Sequence, residues 1–502
     1  MMMLMNGILL DIIIGLFLIC GGVSAIDNGI GLTPPMGWRA WKAFYANINQ
    51  SRMEMMMDAL VEKIDGVSLA SLGYIYVGLD DHWQNCTRIC PNGTVIPSWK
   101  MHNDFDYQGC DNKWHNGTNN TGSVALPWYD DDGTPIVDLH RFPDMKSMVD
   151  KAHRMGLRAG WYFGNYQCRD AVGGKKWNMT KLAEGSVRAI VEYGFDSVKL
   201  DSGFPVASNL TLWADLLNAS GRPVMIENCH QGGDAPGIAS DARNDHACTG
   251  LTSPVSDCPF NFWRTTGDPE PGWGTIMREL NSLRDVSNKN FPPAKRPGSP
   301  NYMSNPPRSR PGGFAYPGTL EVGDGSMTFD ENAVHFGAWC ITSSPLILAF
   351  DLTDKKRRDL VWPIITNTEA LYVSQTWAGH PGEQVLSSLG SNGAIEVWTK
   401  PLGSNQTALF LINTADKMPP RGNGSAFTEF SLNAARIAVE GPLAVRDVWS
   451  KTWLKGKFNS NSVLHLQLDH HASQFLIVVP AQAKNTAWPP RYRVAPWMTH
   501  DP

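Results

Sequence analysis

Asp196-Ser197-Val198-Lys199-Leu200-Asp201 is the stretch that decides how the rest of this chain is read. Side chains along a strand alternate, so Val198 and Leu200 share one face while Lys199 and Asp201 share the other. In a parallel (β/α)8 barrel the outer face packs against helices, and inward positions near the carboxyl end line the mouth. An apolar outer pair with Lys199 and Asp201 inside fits such a strand. Capping of the next helix by Asp201 would explain this strand alone. It does not explain why another run, Phe262-Trp263-Arg264-Thr265-Thr266-Gly267-Asp268, again ends in a cation and a carboxylate, or why Gly78-Leu79-Asp80-Asp81-His82-Trp83 ends in two carboxylates.

Outward from that strand, short apolar runs alternate with amphipathic segments from residue 36 to 351. The strands predicted are 36–41, 74–80, 158–163, 196–201, 223–228, 261–266, 312–316 and 345–350, the eight that a barrel of this class needs. Between the first two, Ser51 and Glu54 read as a capping box, Met53, Met56, Met57, Leu60 and Ile64 as an apolar stripe, and Gly66 as its left-handed stop. Pro143, the stripe Met145, Met148, Val149 and Ala152, and Gly156 repeat that logic. Residues 84–128 and the proline-rich 288–311 break the rhythm and read as long loops. After about residue 385 the pattern turns to period two, at 394–399, 408–412 and 474–479. The expected organisation is a signal peptide over 1–25, a catalytic barrel over 26–380, a C-terminal antiparallel β-sandwich domain over 385–482 and an unstructured tail over 483–502.

Ile12–Cys20 is an apolar run followed by Val23-Ser24-Ala25, the form of a secretory leader and its cleavage site, and too short for a spanning helix. Ten N-x-S/T sequons, among them Asn49, Asn178 and Asn209, accord with passage through the secretory route, to the exterior or to a lysosome- or vacuole-like compartment. Eight of the nine cysteines lie beyond the leader, where an oxidising compartment would bridge several. A net charge of −5 leaves no basic excess for phosphates, so neither nucleic acid nor a membrane surface is an expected partner. Oligomeric state leaves no mark in the sequence.

Carboxylates gathered at one rim need a metal or a polyhydroxylated ligand to satisfy them. No HxH or HExxH spacing is present, so neither a metal nor a cofactor is expected. Sugars suit the rim better: carboxylates accept from hydroxyls, and Trp41, Trp83 and Tyr162 at strand ends offer aromatic plates.

The motifs Thr33-Pro34-Pro35-Met36-Gly37-Trp38-Arg39-Ala40-Trp41, Gly73-Tyr74 through Asp80-Asp81, Phe142-Pro143-Asp144-Met145-Lys146, Gly156-Leu157-Arg158-Ala159-Gly160-Trp161-Tyr162, Lys199-Leu200-Asp201, Arg264-Thr265-Thr266-Gly267-Asp268, Pro311-Gly312-Gly313 and Leu320-Glu321-Val322-Gly323 occur in that order. Together they resemble glycoside hydrolase family 27, the α-galactosidase and melibiase family, over about residues 31–480. The resemblance implies a retaining hydrolase of terminal α-galactosyl groups on oligosaccharides, polysaccharides or glycoconjugates. Asp201 would be the nucleophile and Asp268 the general acid/base, with its pKa expected to be raised by desolvation. Asp80 and Asp81 would grip O4 and O6, Trp41 and Tyr162 wall the ring, Lys199 hold Asp201 ionised, and Arg264 meet O2 and O3.

Several positions depart from the family. Its Cys-Glu-Trp at the C2 position reads Cys229-His230-Gln231, which puts His230 beside the sugar's C2. Its Asp-Asp-Cys reads Asp80-Asp81-His82, and Gly203 stands where a cysteine usually pairs with the one matching Cys168. Its Trp-Asn-Asp-Pro-Asp-Met reads Phe314-Ala315-Tyr316-Pro317-Gly318-Thr319. By the resemblance Cys229 is expected to bridge to Cys258, with Cys248 or Cys168 as alternatives, and Cys340 to stay a free buried thiol. The rival functions are a β-L-arabinopyranosidase, an α-N-acetylgalactosaminidase, and a catalytically silent galactoside-binding protein.

Overall fold

A strand that is apolar on its outer face stays folded only if helices cover it, and the chain supplies them in alternation. The computed structural model describes residues 28–98, 106–111, 113–116, 123–164, 178–201, 205–230, 256, 258–288, 309–391, 393–415, 425–435, 437 and 441–485. Eight strands, Met36–Arg39 (β1), Tyr76–Gly78 (β2), Arg158–Phe163 (β3), Ser197–Asp201 (β4), Met225–Cys229 (β5), Phe262–Arg264 (β6), Phe314–Tyr316 (β7) and Leu346–Leu348 (β8), form one parallel sheet in the order β7-β6-β5-β4-β3-β2-β1-β8. Between β7 and β8 there is no ladder among the described residues. The sheet curls shut there through the parallel bridge Leu320 to Leu348, with Leu320 N donating to Ile347 O at 2.7 Å. All eight predicted strands are present, and the fold is a TIM barrel followed by a β-sandwich.

The first long helix, Gln50–Val61 (α1), buries Met53, Met56, Met57 and Leu60 as its stripe requires. Its cap is not the box expected from Ser51 and Glu54. Asn49 Oδ1, two residues earlier, accepts from Arg52 N at 2.9 Å, and Glu54 instead accepts from the Gln50 side chain at 2.9 Å. Gly66 has the left-handed φ of 85°, but it lies past the helix, in the turn that bridges Ile64 to Val67. In the second helix, Met145–Arg154 (α2), Asp144 caps Ser147 N at 2.8 Å, and Gly156 follows with φ 72°.

The carboxyl half of the chain forms a six-stranded antiparallel sheet and a two-stranded one. The larger joins Glu383–Leu389, Ile395–Gly403, Gln406–Asn413, Ser473–Pro480, Leu443–Asp447 and Thr452–Trp453 in that spatial order, and the smaller pairs Ala426–Ser431 with Val463–Leu468. Alternation divides the work of the large sheet. Ile395, Val397, Leu409 and Leu411 pack with Phe430, Leu464 and Leu468 between the sheets, while Trp398, Phe410, Phe475 and Ile477 join the core of the barrel. Ala481–Asn485 form a 3-10 turn, and residues 486–502 lie outside the described set, as do the leader and most of the proline-rich stretch 288–311.

Within residues 84–128 a disulfide joins Cys90 to Cys110, and Cys86 and Cys258 are also disulfide-bonded. Cys340 is a free buried thiol, as expected. Cys229 is free as well, which overturns the expected bridge to Cys258. It is the last residue of β5, and its Sγ is met by Arg264 Nη1 at 3.5 Å. Cys168 and Cys248 lie outside the described residues.

The sandwich is seated on the barrel through the helix Phe329–Ile341 (α3). A Cβ at Gly337 would come within 2.4 Å of the Phe410 ring, so only glycine lets helix and sheet approach this closely. Gly337→Ala is therefore expected to cost about 1–3 kcal/mol through overpacking. Chemical denaturation at constant m-value measures it.

Candidate active site

A parallel barrel delivers the carboxyl ends of all eight strands to one rim, where their side chains meet across the interior. Lys199 on β4 donates from Nζ to Asp80 Oδ2 at 2.9 Å, reaching past β3 to the loop after β2. Its ammonium also lies 5.0 Å from the centre of the Tyr162 ring. The Tyr162 hydroxyl donates to Asp201 Oδ2 at 3.0 Å. Lys199 thus pairs with Asp80 and not with Asp201, to which Tyr162 donates. The close approach at the end of β3 depends on Gly164: a Cβ there would stand 2.4 Å from Asp201 Cβ and 2.6 Å from the Tyr162 hydroxyl.

Asp80 and Asp81 are buried just past β2. Asp81 Oδ1 accepts from His82 N at 2.8 Å and from the Gln84 amide. Burial pushes its carboxyl up to about 7, against the lowering effect of those two hydrogen bonds. Arg264, also buried, donates from Nε to Pro317 O at 2.9 Å and from Nη1 to Asp268 Oδ1 at 3.3 Å. The Asp268 side chain is 56% exposed. Partial burial raises its pKa, but the charges of Lys199 and Arg264 and the Arg264 hydrogen bond outweigh it and hold the carboxyl below its usual range. That reverses the raised pKa expected from sequence, because this carboxyl is open to water on one side and has cations on its inner side.

Trp41 begins a one-turn helix, half-buried, with its ring 5.8 Å from that of His82. His230 is half-buried after β5, and its Nε2 lies 3.2 Å from Ala207 O. Gln231 is outside the described residues. Trp83 is not an aromatic plate. It is fully buried against Trp161, centroids 4.7 Å apart, and its indole N–H donates to Tyr162 O at 2.9 Å. The odd seventh strand is explained in part by packing: a Cβ at Gly318 would stand 3.1 Å from Pro269 Cγ, so the glycine lets the segment after Asp268 settle on β7.

Three residues of the mouth have no role in the sequence reading. Arg39 at the end of β1 donates from Nη2 to Glu227 on β5, and Glu227 also accepts from the Tyr316 hydroxyl on β7. A signal was present: Glu227 lies two residues before Cys229 on one strand face, and a carboxylate inside a barrel strand demands a partner across it. Among the described residues, no group of three or more His, Cys, Asp and Glu side chains is arranged to hold a metal ion.

A barrel whose mouth is lined by paired carboxylates and cations, with aromatic side chains between them, belongs to the barrel glycoside hydrolases, and the protein is an enzyme of that class. Residues 392–478 match the α-galactosidase C-terminal β-sandwich domain. An α-galactosidase of Cyamopsis tetragonoloba is 26% identical over 464 residues, covering 90% of this chain and 88% of its own length. Among solved structures, an α-galactosidase from Saccharomyces cerevisiae aligns with a TM-score of 0.62 at 19% identity, over 91% of this chain and all of its own. A family 27 β-L-arabinopyranosidase from Geobacillus stearothermophilus aligns with a TM-score of 0.61 at 18% identity, over 90% of this chain and 97% of its own. Over most of its length the chain is similar to the α-galactosidases of glycoside hydrolase family 27.

The raised pKa of Asp81 fixes the sign of a pH effect. The unfolded carboxyl loses its proton near pH 3.8 and the folded one near 7, so this residue lowers stability progressively as pH rises across that window. Asp81→Asn removes the effect. The stability of the variant relative to the parent is expected to increase from about pH 4 to about pH 7, by at most about 1.4 kcal/mol per pH unit. Paired denaturation curves across that range measure it.

Proposed function

We propose that this enzyme removes terminal α-D-galactosyl groups from galactosides by double displacement, with Asp201 as nucleophile and Asp268 as general acid/base. The observation that supports this most is the placement of both carboxylates on the same rim, Asp201 at the end of β4 and Asp268 four residues past β6, each with its own hydrogen-bond donor. Retention needs the two carboxyls roughly 5–5.5 Å apart, on either side of the bond to be broken.

In this reading the Tyr162 hydroxyl donates to one oxygen of Asp201 and orients the carboxylate that attacks the anomeric carbon. Asp80, fixed by Lys199, and Asp81 accept from O4 and O6 of the sugar. Trp41 walls the ring, Arg264 reaches O2 and O3, and His230 lies by C2. Asp268 donates its proton to the departing oxygen as the glycosyl bond to Asp201 forms, then takes a proton from the water that breaks that bond. The retention of both Asp80 and Asp81 favours galactose over arabinopyranose, which lacks the C6 group. It follows that the substrates are galactose-terminated oligosaccharides, polysaccharides or glycoconjugates. The leader over 1–25 and the sequons send the protein along the secretory route, to the exterior or a vacuole-like compartment, with a catalytic unit over 26–380 and a sandwich over 385–482. Among the described residues no helix is long and apolar enough to cross a membrane.

The deciding experiment is turnover of p-nitrophenyl α-D-galactoside by the purified protein, set beside the α-glucoside and the β-L-arabinopyranoside. Galactoside is expected to exceed glucoside in kcat/KM by roughly 30- to 1000-fold, the effect of leaving a buried carboxylate unpaired. A 2-fluorogalactosyl donor should label Asp201, and Asp201→Asn should abolish both labelling and turnover in a folded protein. Labelling of another carboxylate, or equal rates on all three sugars, overturns the assignment.

The depressed pKa of Asp268 generates a further expectation. A general acid that is mostly ionised at neutral pH works best in acid, so kcat/KM on an unactivated galactoside should fall as pH rises from about 4 to about 7. A nitrophenyl galactoside, whose leaving group needs little protonation, should show a flatter profile over the same range.

A further inference from the structure

Arg39 is a second cation beside Asp80. Its Nη1 lies 3.7 Å from Asp80 Oδ2, the oxygen that already accepts from Lys199, while its Nη2 is held by Glu227. Both side chains are buried, with Arg39 7% and Glu227 1% exposed. Among the described residues, neither Nε nor Nη1 of Arg39 has a hydrogen-bond partner. The guanidinium lies against β2, where a Cβ at Gly78 would stand 3.4 Å from its Cζ. Glu227 itself is fixed from the far side by the Tyr316 hydroxyl. Tyr316 in turn lies under Arg264, whose guanidinium carbon is 5.8 Å from the ring centre. A row of contacts therefore runs across the mouth from Arg264 through Tyr316, Glu227 and Arg39 to Asp80 and Lys199, drawing on β6, β7, β5, β1, β2 and β4.

An arginine fork pairs with a carboxylate best when both of its nitrogens engage it. Arg39 has two carboxylates in reach and gives its hydrogen bond to Glu227, which leaves the contact with Asp80 long. A desolvated guanidinium cannot be left without an anion. If Glu227 lost its charge, the nearest remaining carboxylate would be Asp80, and Arg39 would close on it in competition with Lys199 and with any sugar hydroxyl.

We propose that Glu227 is a positioning residue for substrate recognition: by holding Arg39 it keeps the Asp80 carboxylate available to Lys199 and to the sugar. Tyr316 fixes Glu227 in that task, which gives the altered seventh strand a role in recognition through charge placement. This rests on Asp80 being a sugar contact, as in the function proposed above.

The test compares Glu227→Gln, Glu227→Asp and Arg39→Met/Glu227→Gln. In Glu227→Gln the shape is kept and the charge removed, and KM for the galactoside is expected to rise about 10- to 100-fold with a much smaller change in kcat. Glu227→Asp, which keeps the charge, should stay within about threefold of the parent. The double variant removes the competing cation and is expected to recover KM to within about threefold, since a buried ion pair is replaceable by neutral groups of similar volume. A parental KM in folded Glu227→Gln overturns the proposal. So does a double variant that remains about tenfold or more impaired in KM, which also decides the case if the single variant does not fold. If the parent protein does not cleave the galactoside, it is the assigned activity that fails. The crystal structure of Glu227→Gln then decides for Glu227: closure of the 3.7 Å gap between Arg39 and Asp80 to hydrogen-bond distance is expected, and an unmoved guanidinium overturns it.

Discussion

Charge placed inside a closed barrel has to be paired where it stands, because water cannot follow it there. The link from Lys199 to Asp80 is the clearest instance, and the arrangement of the mouth depends on it. It joins the fourth strand to the loop after the second, brings the ammonium over the Tyr162 ring, and leaves Tyr162 to serve Asp201. Arg39 adds a further positive charge to the same region and Glu227 a further negative one. The carboxylates and cations of the mouth are thus not independent contacts but a chain in which each fixes the next.

The fold was legible because its signal is periodic and repeated. Val198 and Leu200 against Lys199 and Asp201 gave one strand a direction and a face, and the stripe Met53, Met56, Met57 and Leu60 did the same for a helix. Local hydrogen bonds were less legible: Ser51 with Glu54 has the spacing of a capping box, yet Asn49 lies two residues earlier and is just as good a cap, and spacing alone cannot rank the two. The place of Trp83 is hidden from the sequence for a related reason. A tryptophan at a strand end can line the mouth or fill the wall beside it, and only the packing of Trp161 and Phe163 around it decides.

At the site, carboxylates that follow a strand could be placed on the rim from sequence. Interactions between strands far apart in sequence could not. Arg39 and Glu227 are separated by most of the barrel along the chain, and Arg39 is hidden inside a motif otherwise read for Trp41. Cys229 shows how far a family pattern can be carried: the cysteine stands at the end of β5 as the motif implies, and the bond the family would give it is not made. What replaced the bond is Arg264, which contacts the sulfur and so makes a noncovalent tie between the fifth and sixth strands.

The joint between β7 and β8 gives the barrel a weakest place. Every other pair of neighbouring strands is held by a ladder, whereas among the described residues this one has the single bridge at Leu320, reinforced by the indole of Trp339 donating to Gly318 O. Local opening proceeds where the fewest backbone bonds must break. Amide hydrogens near this seam will therefore exchange with solvent ahead of those in β3 and β4, and the segment from Tyr316 to Gly318 will loosen before the strands that carry Lys199 and Asp201. Asp201, the proposed nucleophile, stands on a strand with a ladder on both sides, and the segment from Phe314 to Thr319 stands beside the seam.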